Sequence, residues 1–426
     1  MTSDGSSASP RRRDERLLRI AFAISTTGDW VYRFALPLLV LQVTGSSVSA
    51  AFTYAVEFVP YLVVGLFSGV VADRVDRRRL LVTCDITAAL ITAGIATLCL
   101  ADRPHPALLI AAAFLLSCAR PFHFPAFQGF LADRVVPERR AVVNAWVQGI
   151  DSSLTLIGPL AGAAVVAVLG PAVASGVNAV SFALSAVVLA RTASVFLPGQ
   201  EQPGFIRAVR QALRHVRPDF LAGLRAVRAD DGVFWGTVLL TATNFAMTAV
   251  AANLVYVSAG PDGRVSTALV LVFTAEGAGA LVAAVLAPAL MRRVGTGRLL
   301  ILAMGGLAVA LLVPAASVAS PVLASACFVL GAASSLLVVP WRTYRQQVVD
   351  TELMGRVVSV QRATSFALNP VGAVMGGWLV GRSGPVALFA TAGTIQLVVW
   401  LCTWSGPLGR IDGSPRDAKQ TDVVGA

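Results

Sequence analysis

Gly69-Val70-Val71-Ala72-Asp73-Arg74-Val75-Asp76-Arg77-Arg78 lies between one long apolar run and the next. Charges packed this densely between hydrophobic stretches mark a short polar loop joining two apolar segments. Working outward, such runs recur at 18–42, 48–72, 79–101, 106–130, 141–168 and 170–192. After a polar stretch they resume at 233–257, 266–290, 298–317, 320–341, 357–381 and 384–406. A helix needs about 20 apolar residues to cross a bilayer. Within lipid every backbone polar group must be satisfied internally, so only helices and closed barrels span it. The runs lack the period-2 alternation of a barrel strand, which leaves helices. The pattern predicts an all-α integral membrane chain of about twelve helices in two pseudo-symmetric six-helix bundles.

Composition agrees. Of 426 residues, 56% are hydrophobic and 13% charged, against about 25% charged in soluble domains. The net charge of +11 does not point to nucleic acid, because the charges are confined to short loops. Arg11, Arg12, Arg13, Arg16 and Arg19 precede or open the first run. Arg77–Arg79, Arg139–Arg140, Arg292–Arg293 and Arg342–Arg345 occupy alternate loops, while the opposite loops carry Arg103, Arg264 and Arg382. By the positive-inside rule both termini are expected in the cytoplasm, in a multi-pass protein of the cell membrane. The organisation read is an arm at 1–17, a bundle at 18–192, a linker at 193–232, a second bundle at 233–406 and a tail at 407–426. In the linker, Phe205, Ile206, Val209, Ala212 and Leu213 form an apolar stripe among arginines. It reads as an amphipathic surface helix, either a plain connector or one that senses lipid. No cleavable leader is expected.

Several chemistries are disfavoured. Lys419 is the only lysine, so the chain cannot build a phosphate-binding loop of the G-x-x-x-x-G-K type. His105, His123 and His215 are scattered, and Cys84, Cys99, Cys118, Cys327 and Cys402 form no C-x-x-C pair. Neither a metal, a cofactor nor an enzyme activity is expected.

The decapeptide resembles the loop signature G-x-x-x-D-R-x-G-R-R of the major facilitator superfamily, with Asp76 in place of the second glycine. Gly28-Asp29-Trp30 and Ala35-Leu36-Pro37-Leu38 extend the resemblance to the branch holding macrolide and enterobactin exporters. That resemblance implies a gating cluster of Gly69, Asp73, Arg74, Arg77 and Arg78 that latches one conformation. Ala132-Asp133-Arg134-Val135 repeats part of the motif and reads as a loop coincidence or a gate contact. Weak internal similarity supports two related halves. Arg79-Leu80-Leu81 matches Arg298-Leu299-Leu300, and Pro159 matches Pro370.

Ionisable residues inside spans are costly and default to function. Asp29 and Arg33 are four apart on the first helix, hence neighbours on one face. They read as a proton-responsive pair or a buried structural bridge. Glu57 shares a face with Tyr54 and Tyr61, and the trio reads as a cavity wall. Asn144, Gln148, Asp151 and Thr155 make a polar stripe on the fifth span. Asp151 and Glu276 lie near mid-membrane and are the leading proton-coupling candidates, with helix–helix hydrogen bonding as the alternative. Asp85 sits near a span end and is expected to join the loop cluster. Arg120 resembles the fourth-helix arginine of drug/proton antiporters. His123 nearby is read as packing before relay. Gly158, Pro159 and Gly162 resemble the glycine–proline motif of exporter fifth helices.

The function these readings imply is export of a small organic molecule by alternating access, coupled to protons. The expected partners are that substrate, protons and the lipid bilayer, with the chain acting as a monomer. An importer of the same fold, or a membrane sensor without transport, is the alternative.

Overall fold

A computed structural model describes residues 5–65, 67–101, 103–193, 205–260, 266–406 and 408. Among them the chain forms helices only. Helix α1 (Gly5–Thr44) is 40 residues long, about 60 Å at 1.5 Å per residue. That exceeds the roughly 30 Å of hydrocarbon, so its first turns project as a helical arm. The arm is docked by Asp14 and Glu15, whose side chains are buried.

The expected span 48–72 is broken in two: α2 (Ser47–Val63) and α3 (Ser68–Arg74). Pro60 has no amide hydrogen, and Gly65 follows one turn later, so the ladder weakens here. Helix α4 (Arg77–Leu100) begins at Asp76, whose Oδ1 accepts from the backbone N–H of Arg78 at 2.9 Å and of Arg79 at 3.2 Å. The residue that departs from the glycine pattern is therefore a helix cap. Helices α5 (Pro106–Arg134) and α6 (Pro137–Ala190) complete the first half.

Helix α7 (Phe205–Ala229) is the linker helix. The second half comprises α8 (Asp231–Ala259), α9 (Thr267–Val294), α10 (Thr296–Ala316), α11 (Ser320–Val348), α12 (Thr351–Ala367) and α13 (Asn369–Ser405). The expected span 357–381 also breaks, at Leu368, ahead of Asn369-Pro370.

Two of these elements each contain two spans. Gly170 breaks α6 at φ 78° and ψ 164°, and Gly384 breaks α13 at φ 79° and ψ 173°. Each is followed by proline, at Pro171 and Pro385. Glycine alone takes this positive φ without strain, and proline starts the next helix with φ already set. The same hairpin therefore recurs in both halves, a repeat sharper than the arginine–leucine matches.

Each half has its own apolar core. Leu81, Phe127 and Phe130 anchor one, with Leu36, Ile95 and Leu109 nearby. Leu254, Met304, Leu307 and Phe389 anchor the other. The halves meet at the end remote from the arginine-rich loops. There the Ser47 hydroxyl donates to the Gly377 carbonyl at 3.1 Å. Ala51 and Ala55 pack on Ala252 and Ala373, and Val31, Ala35 and Leu38 pack beside Val255 and Leu269.

Helices α9 and α11 cross closely through a glycine pair. A Cβ on Gly279 would sit 1.9 Å from the Phe328 carbonyl oxygen, and one on Gly331 would sit 2.0 Å from that of Glu276. Backbone cannot yield as a flexible side chain can. Gly279→Val or Gly331→Val should therefore separate the helices, costing about 1–3 kcal/mol or more, and lower the thermal midpoint in detergent. Gly355→Ala, which meets nothing within 4 Å, should leave it unchanged or slightly raised.

Candidate functional site

Away from the closed end the halves diverge around a cavity of about 1220 Å³. It extends to the arginine-rich end, where Gly65, Ser68, Gln128, Arg342 and Arg362 line it. Its walls come from α1, α2 and α5 on one side and α8, α9, α11 and α12 on the other. Trp30, Tyr54, Phe58, Tyr61, Phe273 and Phe366 give it an aromatic lining. Phe58 and Phe366 approach across the halves, with ring centroids 6.0 Å apart.

Arg120 is the centre of charge. Its Nη2 donates to Asp29 Oδ1 at 3.1 Å, and its Nη1 lies 3.8 Å from Glu57 Oε2. The three groups come from α5, α1 and α2, so one guanidinium ties three helices together. Its Nε is buried without a partner, as is the Tyr32 hydroxyl. Sequence spacing pairs Asp29 with Arg33; the structure does not. Asp29 turns to Arg120, and Arg33 lies over the Trp30 ring at 4.5 Å, a cation–π contact.

Tyr54, Glu57 and Tyr61 share the cavity wall. Glu276 stands on the opposite wall, on α9, and no described basic side chain lies within 4.0 Å of its carboxylate. The two walls therefore differ: one holds two carboxylates with two arginines, Arg33 and Arg120, the other an acid with no described base within 4.0 Å. Asn144, Gln148, Asp151 and Pro159 lie within α6, but their side chains are outside what the structure describes. Gly158 packs against Trp30, with a Cβ there 2.8 Å from the ring, and Gly162 is buried. Gly158 thus lies where α6 meets α1.

Gly69 and Asp73 of the loop motif lie within α3, but the placement of the Asp73 side chain and the packing at Gly69 are outside what the structure describes. Arg74 ends α3. Arg77 reaches Asp133 Oδ2 at 2.6 Å and donates from Nε to the Ala72 carbonyl at 3.3 Å. Gly129 makes room for that arginine, since a Cβ there would come 2.5 Å from its Nε. Arg78 donates to the carbonyls of Leu189 and Ala190 at the end of α6. These arginines therefore bond within the first half in this conformation. Asp133 of the repeated Ala-Asp-Arg-Val is a real contact of the motif, not a coincidence of sequence.

Other functional groups escape a sequence reading. Glu15 accepts two bonds from Arg139, at 2.9 and 2.7 Å, and Asp14 pairs with Arg134 at 3.4 Å. Two carboxylates amid the arm's arginines were the available signal. Asp85 does not join the loop cluster. It is buried on α4 and meets His123 Nε2 of α5 at 3.2 Å, while the His123 ring stacks on Phe127. Among the described residues no three His, Cys, Asp or Glu side chains converge as a metal would require.

A model of the Major Facilitator Superfamily matches residues 18–368. The chain belongs to this superfamily. The multidrug efflux pump Tap of Mycobacterium tuberculosis is 26% identical over 393 residues, covering 88% of each chain. An uncharacterized MFS-type transporter, y4rN, of Sinorhizobium fredii is 28% identical over 404 residues, covering 92% of this chain and 94% of its own. Among solved structures, a bacterial homologue of the iron transporter ferroportin in an inward-facing state superposes with a TM-score of 0.68 at 17% identity, covering 92% of this chain and 99% of that one. The peptide transporter POT gives 0.67 at 15%, covering 94% and 96%. At these identities the structures bear on fold alone. The chain is thus a multi-pass membrane transporter of this fold.

Two outcomes follow from the charge geometry. Arg120→Met leaves Asp29 and Glu57 facing each other uncompensated. Stability should fall by up to about 3 kcal/mol, below the fully buried case because water reaches the cavity. Adding Asp29→Asn and Glu57→Gln should recover much of the lost thermal midpoint; an unchanged midpoint in the single variant would contradict the assignment. Glu15 lies outside the membrane-spanning part of α1, and its carboxyl is held below the ordinary carboxylate range by the Arg139 hydrogen bonds. A lowered folded value means the contact is at full strength at neutral pH and is lost as pH falls through that value, below about 4.3. A spin label at position 12 should gain mobility in that acid range, and Arg139→Gln should move the transition up towards the ordinary value.

Proposed function

We propose that the chain exports a small organic molecule by alternating access, with proton entry driving the cycle. The size range is that of a drug, a macrolide or a siderophore. The observation that carries the proposal is the asymmetry of the cavity: the Asp29–Arg120–Glu57 cluster, with Arg33 on the same wall, faces Glu276, a carboxylate without a described basic partner, across aromatic walls. A carboxylate that no described base neutralises suits two tasks. It can receive a proton, or it can pair with a cationic group of a substrate whose apolar part meets Trp30, Tyr54 and Phe273. Competition between proton and cation for one acid is a simple form of antiport.

The arginine-rich end is assigned to the cytoplasm by the positive-inside rule, with both termini on that side. The cavity then opens inward and the Ser47–Gly377 end is the outer gate. The efflux pump Tap, similar over most of the chain, supports export. The importer reading and the sensor reading are separated from it by one assay.

Cells expressing the chain should extrude a lipophilic cationic dye, and a protonophore should abolish extrusion. Glu276→Gln should slow it at least about tenfold, the scale of one charge-assisted contact. Extrusion that ignores the protonophore would remove proton coupling. Faster dye accumulation in expressing cells would favour import. Transport independent of Glu276 would remove that residue from the mechanism.

A further inference from the structure

Helix α7 has two faces of opposite character. Its inner face packs on both halves. Ala208 and Val216 meet Phe67 and Val71 of the first half. Val227 meets Val357 and Val360 of the second, and a Cβ on Gly223 would come 2.6 Å from the Arg356 carbonyl oxygen. The helix's one carboxylate, Asp219, is turned to Arg356 at 3.0 Å.

The outer face carries Arg207, Arg210, Arg214, Arg217, Arg225 and Arg228, all exposed. At 3.6 residues per turn they fall within a sector of about 80°. Among the described residues no carboxylate lies within 4.0 Å of any of the six. Mutual repulsion along such a strip is relieved by a surface of opposite charge. Water alone does not explain the face, because Ile206 and Leu213 border it 78% and 52% exposed, and Leu221 lies within it. Apolar residues flanking a row of arginines match the boundary between headgroups and acyl chains, with the guanidinium stems reaching to phosphate. The inner-face contacts hold α7 against α3 and the first ten residues of α12, elements of spanning segments at the arginine-rich end.

We propose that the outer face of α7 binds anionic lipid headgroups, the arginines taking phosphates while Ile206 and Leu213 enter the acyl boundary. Each arginine near an anionic surface contributes roughly a fivefold factor in association. Since α7 also touches both halves, headgroup binding fixes the helix that bridges them.

The test is amide hydrogen exchange of 205–229 in the full chain, reconstituted in phosphatidylcholine vesicles with and without phosphatidylglycerol. Exchange should slow at least about tenfold with the anionic lipid. Joint replacement Arg207→Gln, Arg210→Gln, Arg214→Gln and Arg217→Gln should remove that slowing. These side chains are exposed and no described carboxylate lies within 4.0 Å of them, so exchange in α9 and α11 should stay as in the parent and report an intact fold. Equal exchange in both vesicles, or slowing that survives the fourfold replacement, would overturn the proposal. So would protection gained in phosphatidylcholine only on adding a soluble acidic polypeptide.

Discussion

A guanidinium inside a membrane protein must be answered by carboxylates, and Arg120 is the charge around which this molecule is arranged. An arginine at bilayer depth costs several kcal/mol unless paired. The chain answers it twice, from α1 with Asp29 and from α2 with Glu57. That requirement joins three helices of the first half and sets one wall of the cavity. The second half brings no such arginine to mid-cavity; its Arg342 and Arg362 line the arginine-rich end, while Glu276 stands alone further in. With Arg33 on the same wall, two arginines stand with two carboxylates there, while the acid opposite has no described base beside it; that difference gives the proposed cycle its chemical direction.

Closure at one end follows from small residues. Alanines on α2, α8 and α13 let the halves touch near Ser47 and Gly377. The loop arginines, meanwhile, bond inside the first half, to Asp133 and to the end of α6. With that end open, Arg77 and Arg78 make these contacts on their own half. Helix α7 is the element that touches both halves there. Any closure of the arginine-rich end must therefore move α7 relative to at least one of its two seats.

Much of the fold was legible because lipid imposes it. Apolar length and arginine placement are one-dimensional signals, and the amphipathic stripe of 205–229 is another. Helix breaks were harder. The break between Val63 and Ser68 turns on Pro60 and Gly65, residues that many membrane helices tolerate without breaking. The hairpin glycines Gly170 and Gly384 were more readable than the matches first noticed, since each precedes a proline. The site was less legible because its decisive contacts are cross-helix. Helical spacing sees Asp29 beside Arg33, but Arg120 lies on another helix, 91 positions along. Asp85 looked like a loop residue by depth, yet α5 presents His123 to it. Tyr54, Glu57 and Tyr61 line the cavity together, a placement that depends on one helix face alone.

In the proposed cycle one cavity opens alternately at two ends. The most direct measurement is pulsed electron resonance between spin labels in a cysteine-free chain. One pair, at Val48 and Arg382, reports the Ser47–Gly377 end; the other, at Arg79 and Gly355, reports the arginine-rich end. On acidification the account predicts that the two distance distributions shift in opposite senses, one end widening as the other narrows. Distances that stay fixed, or that widen and narrow together, would contradict it.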